Sequence, residues 1–402
     1  MNEQIKQRIE QIRRGEVPEG YKRTKAGVVP IEWEEVRIGD VLTQRKTLQC
    51  VSKDAPLLSF TIEEGVIDPA DKKSNKRDFL IKDITTKKFA LTEVGDIIYN
   101  PANLKFGAIH RNNLRRGVVS PIYGIFYGAQ NSTFMGHLLH NQRFIDYAKI
   151  YAEGTVEKLK TLSADTFKKL KITLPSLKEQ EKIAEILAAQ DKLIALKEKL
   201  IEEKKRQKKH LIQQLITGKK RLSGFADQWT KYNYSQVLLN LSPKKYQISS
   251  GEYFENGKYP VIDQGKKRIV AYSNDESKVF NCPLDGVIVF GDHTREIKYI
   301  DFDFIVGADG TQLLVAHKEI VSTAFMYYSL LSKTIKSDGY SRHFKYVKGF
   351  TYLVPSKNEQ EAIVAHLSVF DKEISLLQKN LDQEKQKKKA LMQLLLTGIV
   401  RV

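Results

Sequence analysis

The sequence predicts a mixed α/β protein built twice over: two globular domains joined by two long antiparallel helices that form a coiled coil, with a pseudo-two-fold internal repeat. Three observations carry this. Residues 174–222 recur without a gap as residues 354–402. Each copy places apolar residues in 4-3-4-3 spacing, the mark of a coiled-coil seam. The stretches between the copies alternate short β-rich runs with helical ones. The expected order is a first domain at 1–173 with a short N-terminal helix, a first helix at 174–222, a second domain at 223–353 and a second helix at 354–402.

The helices are the clearest elements. Pro175 matches Pro355, Glu179-Gln180-Glu181 match Glu359-Gln360-Glu361, Asp191-Lys192 match Asp371-Lys372, and Arg221 matches Arg401. The first seam reads Ile183, Leu187, Gln190, Ile194, Lys197, Ile201, Lys204, Lys208, Leu211 and Leu215. The second reads Ile363, Leu367, Phe370, Ile374, Leu377, Leu381, Glu384, Lys388, Leu391 and Leu395. Proline just ahead of each start is tolerated, and Gly218 and Gly398 supply left-handed stops. Each helix should span about 38 residues, or ~57 Å. The basic runs at 204–209 and 385–389 are expected to be solvated helix faces.

The domains begin near Trp33 and Trp229 and then diverge. Residues 95–99 and 286–290 still echo each other as a glycine followed by a β-run. Further β-rich runs fall at 119–127 and 312–316, and helical stretches at 134–151 and 320–334. The N-terminal residues 9–15 echo residues 212–218, as if the unit had been cut from a circle.

Composition narrows the partners. In 402 residues, 41% are hydrophobic, so real cores can form. Lys and Arg number 66 against 48 Asp and Glu, a formal charge of +18, which points to a polyanion and most directly to nucleic acid. No run approaches the ~20 apolar residues of a membrane span, and no signal peptide precedes the charged start. The cysteines, Cys50 and Cys282, are too few for a disulfide framework or thiolate metal site. A reduced, cytoplasmic chain is expected.

Enzymatic motifs fail on inspection. Asn100-Pro101-Ala102-Asn103 lacks the second proline and aromatic of an amino-methyltransferase site. Gly251 to Lys258 has the wrong spacing for a phosphate loop. Asp285 with Glu296 and Lys298 only faintly resembles a metal-dependent nuclease core. His137 and His140 stand three apart without a nearby carboxylate or thiolate in sequence, so neither catalytic residues nor metal ligands are expected.

What remains is recognition chemistry, with polar clusters at strand ends. In the second domain these are Asp292, His293, Thr294 and Arg295 after the strand, with Gln264, Lys266, Lys267, Arg268, Arg342, His343 and Lys345. In the first they are Asn100, Asn103 and Lys105, with Arg111, Arg115 and Arg116. Arg and Lys suit the acceptors of guanine, and Asn and Gln suit adenine. Two such domains on a shared frame make a bipartite reader of double-stranded DNA.

The doubled PS-x-x-EQ-E helices, Trp33, Trp229 and the loop at 291–295 make the chain similar to the specificity subunit of type I restriction-modification enzymes, over nearly its whole length. The resemblance implies two target-recognition domains, each reading half of a split DNA site, and a coiled coil that spaces them and docks two methyltransferase subunits and, through them, restriction subunits. It implies no catalytic centre and no cofactor in this chain. S-adenosylmethionine, ATP and magnesium would belong to the partners. Residue-level base contacts do not carry over, because the recognition domains are the family's variable part. Two other classes stay open: a stand-alone bipartite DNA-binding or antirestriction protein, and a catalytic fusion. Apolar residues off the seam favour docking: Ile186, Leu193, Leu196, Leu200, Leu376, Leu394 and Leu396.

Overall fold

The computed structural model describes residues 3–25, 27–72, 86–153, 160–336, 339 and 341–402. The chain divides into two units, residues 1–196 with 381–402, and residues 197–380. Both divisions fall inside a long helix. Leu177–Leu215 and Lys357–Leu395 are each 39 residues long.

The two long helices pack antiparallel. In the first unit Gln190 Nε2 donates to Glu384 Oε2 at 2.9 Å, and Lys388 pairs with Asp191. In the second, Lys204 meets Glu373 at 2.6 Å and Lys208 meets Asp371. Numbers rise along one helix as they fall along the other. Ile183, Leu187, Ile201, Leu215, Ile363, Leu367, Leu381 and Leu395 are buried, while Ile194, Leu211, Phe370, Ile374, Leu377 and Leu391 are half-buried. The basic run at 204–209 therefore splits, correcting its reading as one solvated face. Lys204 and Lys208 turn into the seam, whereas Lys205 and Arg206 make surface pairs with Glu202 and Glu203. Leu396 is a second correction: it is buried in the first unit's core and is not a surplus apolar position.

The repeated motif explains how each helix joins its domain. Gln180 Nε2 donates to the Pro175 carbonyl at 3.0 Å, while its Oε1 accepts from Asn131 N at 3.2 Å. Gln360 does the same with Pro355 at 3.0 Å and Ser322 N at 3.0 Å. Asn131 and Ser322 cap the domain helices Ser132–His140 and Thr323–Leu331, so one glutamine ties two helix starts together. At the far ends Gly218 and Gly398 adopt φ of 72° and 67°, as a left-handed stop demands. Thr217 and Thr397 hydroxyls donate to the carbonyls four residues back.

Each domain opens and closes on one strand pair, Glu34–Arg37 with Lys171–Leu174 and Thr230–Asn233 with Thr351–Val354. The chain thus leaves each domain for its helix where it came in. Each domain then holds a four-stranded antiparallel sheet of the same order. In the second unit it runs Leu238–Leu241, Thr311–Ala316, Val287–Gly291, Ile297–Ile300. In the first it runs Thr43–Gln44, Gly124–Tyr127, Ile97–Tyr99, Ile109–Arg111. Strand Val287–Gly291 is apolar throughout because it is covered on both faces. Ile288 and Phe290 join the core with Leu367 and Phe325, whereas Val287 and Val289 join Ile262 and Phe304.

Beyond this shared sheet the domains part. The second has a mixed sheet in which Tyr259–Ile262 runs parallel to Phe304–Val306. The first has an antiparallel one of Gly117–Val119, Phe89–Thr92 and Leu48–Gln49. Residues 119–127 are therefore not one strand but two, in different sheets, separated by a turn. Residues 134–151 are likewise two helices, Ser132–His140 and Gln142–Lys149. Asn141 takes extended dihedrals between them, and its side chain accepts from Arg143 N at 2.9 Å. The stretch at 320–334 narrows to Thr323–Leu331.

Candidate nucleic-acid interface

In the second unit, strand Val287–Gly291 delivers the loop at 292–296. A side chain at Gly291 would collide with the Gln264 carbonyl at 2.7 Å, so glycine permits the close approach. Arg295 holds φ of 64°, the one positive value at a non-glycine among the described residues. Its N donates to the Gly291 carbonyl at 2.7 Å, and its exposed guanidinium reaches the Ile335 carbonyl at 3.3 Å. Such backbone strain is held by surroundings that over-determine it.

Those surroundings include several residues expected to touch DNA. Gln264 donates to the Asp309 carbonyl at 2.8 Å and accepts from His293 N at 3.2 Å and from the Thr294 hydroxyl. Asp292 is 3% exposed and His343 1%. The Asp292 carboxylate accepts from Phe344 N at 2.8 Å, and its carbonyl accepts from His343 N at 2.9 Å. Burial and these bonds make Asp292 and His343 part of what holds the loop. Lys266, Lys267, Arg268 and Lys345 are exposed. Arg268 pairs with Asp301 at 2.9 Å and covers the Phe302 ring, and Lys345 covers Tyr346.

Beside the loop lies a polar cleft of about 440 Å³. It brings Asp292, His293 and Arg342 together with residues that sequence reasoning missed: Asn240, Lys244, Gln247, Asp309 and Gln312. The missed signal was the position of Asn240 and Gln312 at the ends of β-runs.

In the first unit the equivalent loop is longer and self-contained. The Asn100 carboxamide accepts from Ala102 N at 3.0 Å, and the Asn103 carbonyl accepts from Ala108 N at 3.2 Å. Lys105 covers the exposed ring of Phe106. The arginines are already engaged. Arg111 donates to Ser132 Oγ at 3.0 Å, Arg116 pairs with Glu93 at 2.7 Å, and Arg115 pairs with Asp68. Sequence reasoning missed Arg45, whose fork meets buried Asp96 at 2.7 and 3.0 Å beneath Tyr127.

The failed catalytic motifs stay apart. The register Val287 with Ile300 and Phe290 with Ile297 puts Asp285 and Glu296 at opposite ends of a strand pair. Asp285 accepts from Thr323 N at 2.7 Å. Lys298 is buried, which lowers its pKa, and donates to the Asp263 carbonyl at 2.7 Å. His137 does have a carboxylate nearby in space, Asp191 at 3.4 Å, correcting the sequence view, and the His110 and His140 rings lie 4.3 Å apart, tilted by 39°. Burial dominates at all three histidines. It pushes His110 and His137 down to about 4, against an ordinary 6.5, and lowers His140 as well. Among the described residues no group of three or more His, Cys, Asp or Glu could hold a metal ion. No helix there is long and apolar enough to cross a membrane.

The two domains thus share one sheet and helix frame and carry dissimilar loops. A family model for the type I restriction modification DNA specificity domain matches the chain twice, over residues 30–206 and 227–385. The chain belongs to that family. It is a DNA specificity subunit, the non-catalytic part of a type I restriction-modification system. The MjaX specificity subunit of Methanocaldococcus jannaschii is 25% identical, across 96% of this chain and 97% of the relative. The MjaVIII specificity subunit of the same organism is 24% identical across 96% of each. The crystal structure of the type I S subunit from M. genitalium matches this specificity subunit in fold with a TM-score of 0.57 at 16% identity, covering 90% of this chain and 96% of that one.

Proposed function

We propose that this specificity subunit reads a bipartite double-stranded DNA site, one half per recognition domain, and carries two methyltransferase subunits that modify adenine at N6. The observation that supports this is the pairing of a repeated sheet and helix frame with loops that differ in length, charge and hydrogen bonding. Two readers on one frame suit two different half-sites. The long helices set the gap between those halves and offer the docking surface. Ile186, Leu193 and Leu200 are exposed at heptad spacing on the first helix, as are Val369 and Leu376 on the second. S-adenosylmethionine would be bound by the methyltransferase subunits. ATP and magnesium would serve restriction subunits attached through them.

The test is a domain exchange read out by mapping methylated adenines in cells that supply the partner subunits. Replacing residues 20–173 with another member's recognition domain should change one half of the motif and leave the other half intact. A change in both halves would refute the two-reader assignment. Failure to co-purify with methyltransferase subunits in a two-to-one complex would favour a stand-alone DNA-binding protein.

A further inference from the structure

The sheet face that carries Leu238, Ala316, Leu314, Ile288 and Phe290 is apolar and packed in the second unit's core. Register continues that same face into two polar side chains. Gln312 stands opposite Phe290, and Asn240 stands opposite Leu314. The two amides are bonded to each other, Asn240 Nδ2 donating to Gln312 Oε1 at 3.1 Å, where the cleft opens.

Such a pair has a definite chemistry. A carboxamide holds one carbonyl and one amino group. Once an amino group of one amide bonds the carbonyl of the other, the pair keeps one carbonyl and one amino group uncommitted, whichever amide donates. The major-groove edge of adenine presents N7 as acceptor and N6–H as donor, the complement of that pattern. Guanine presents two acceptors there and is a poor match. Each amide also restrains the other, so little side-chain freedom is lost on binding. Lys244 and Arg342 stand at the same cleft, exposed, and among the described residues neither has an ion-pair partner. This sets them apart from Arg115, Arg116 and Arg268, each paired with a carboxylate. Cations at the rim of such a cleft suit backbone phosphates on either side of a base read there.

We infer that the Asn240–Gln312 pair determines one A·T position in the half-site read by the second domain, distinct from the methylated adenine, with Lys244 and Arg342 holding the flanking backbone. The inference rests on the bipartite reading above.

The test uses the full chain with its methyltransferase subunits, a randomised DNA duplex library, and sequencing of the bound fraction. The wild-type complex should select a two-part motif with an invariant A·T pair in one half. Asn240→Ala with Gln312→Ala should reduce preference at that pair by roughly tenfold to a hundredfold, the range expected for a bidentate base contact. The other half-site and the gap should be unchanged. Gln312→Glu, nearly isosteric, exchanges the amino donor for an acceptor and should abolish the same preference. It carries the test should the double variant not fold. Lys244→Ala should weaken all sequences alike. An unchanged motif in the amide variants, or a uniform loss of affinity without relaxed selectivity, overturns the inference. A wild-type complex that selects no two-part motif overturns the parent reading, a result separable from failure of the amide pair alone.

Discussion

The two places where a long helix meets its domain use the same residues to different effect. In the second unit Glu359 is fully buried, and Arg221 grips it with both arms at 2.6 and 2.7 Å. The Trp229 indole N–H donates to the same carboxylate at 3.0 Å. In the first unit Arg401 grips Glu179 at 2.6 and 2.9 Å but shares its fork with Glu32 at 2.6 Å. Trp33 is 1% exposed there, and its indole N–H has no hydrogen-bond partner among the described residues. The glycine stop also packs more closely against this tryptophan than its counterpart does. A Cβ on Gly398 would touch Pro30 at 2.5 Å and Trp33 at 3.0 Å, while one on Gly218 would lie 3.7 Å from Trp229. The repeat therefore preserves the buried carboxylate–guanidinium tie, and each unit completes it with whatever local packing provides.

Substitutions at equivalent positions should sharpen this comparison. Leu187 and Leu367 are both fully buried seam residues one repeat apart. Leu187→Ala and Leu367→Ala should each cost about 2–5 kcal/mol in urea unfolding, by lost contact plus cavity. A difference between them larger than that range would mean the two seams are not equivalent. The tryptophans should then separate the units. Trp229→Phe breaks a hydrogen bond to a charged group and should cost ~1.5–3 kcal/mol. Trp33→Phe leaves a cavity at a fully buried site but breaks no hydrogen bond. Trp229→Phe should therefore couple to Glu359→Gln in a double-mutant cycle, whereas Trp33→Phe and Glu179→Gln should be additive. Coupling in both pairs would refute the difference in partners.

Acid provides a smaller, one-sided perturbation. Burial holds His110 and His137 near 4, below an ordinary 6.5, so the folded first unit binds fewer protons than the unfolded chain between those values. Stability should be fully present above about pH 6.5 and should fall as pH drops from 6.5 towards 4. His110→Phe with His137→Leu should flatten the slope of melting temperature against pH over that window. An unaltered slope would show that these imidazoles do not drive it.

The candidate recognition surfaces differ in the same way. In the first domain the three arginines singled out by charge are each taken up by Ser132, Asp68 or Glu93. In the second, Lys244 and Arg342 remain at an open polar cleft. Net charge announced a polyanionic partner, but which cations are spent on internal pairs depends on carboxylates brought close from distant parts of the chain.

By itself the sequence determined the two long helices, because their periodicity, proline starts and glycine stops are local signals and the ungapped repeat doubles each one. It also marked Glu179, Gln180, Glu359 and Gln360 as important, without showing that they tie helix to domain. Tertiary structure alone decided the rest. Asn141 splits a helical run through its own cap, Leu396 turns inward, and Asp292 and His343 sink beneath the loops they hold. Asn240 and Gln312, 72 residues apart, become one amide pair only when their strands align. Sequence periodicity reports which face a side chain takes along its own element. Which partner waits on that face is fixed by register between elements, and that depends on packing across the whole domain.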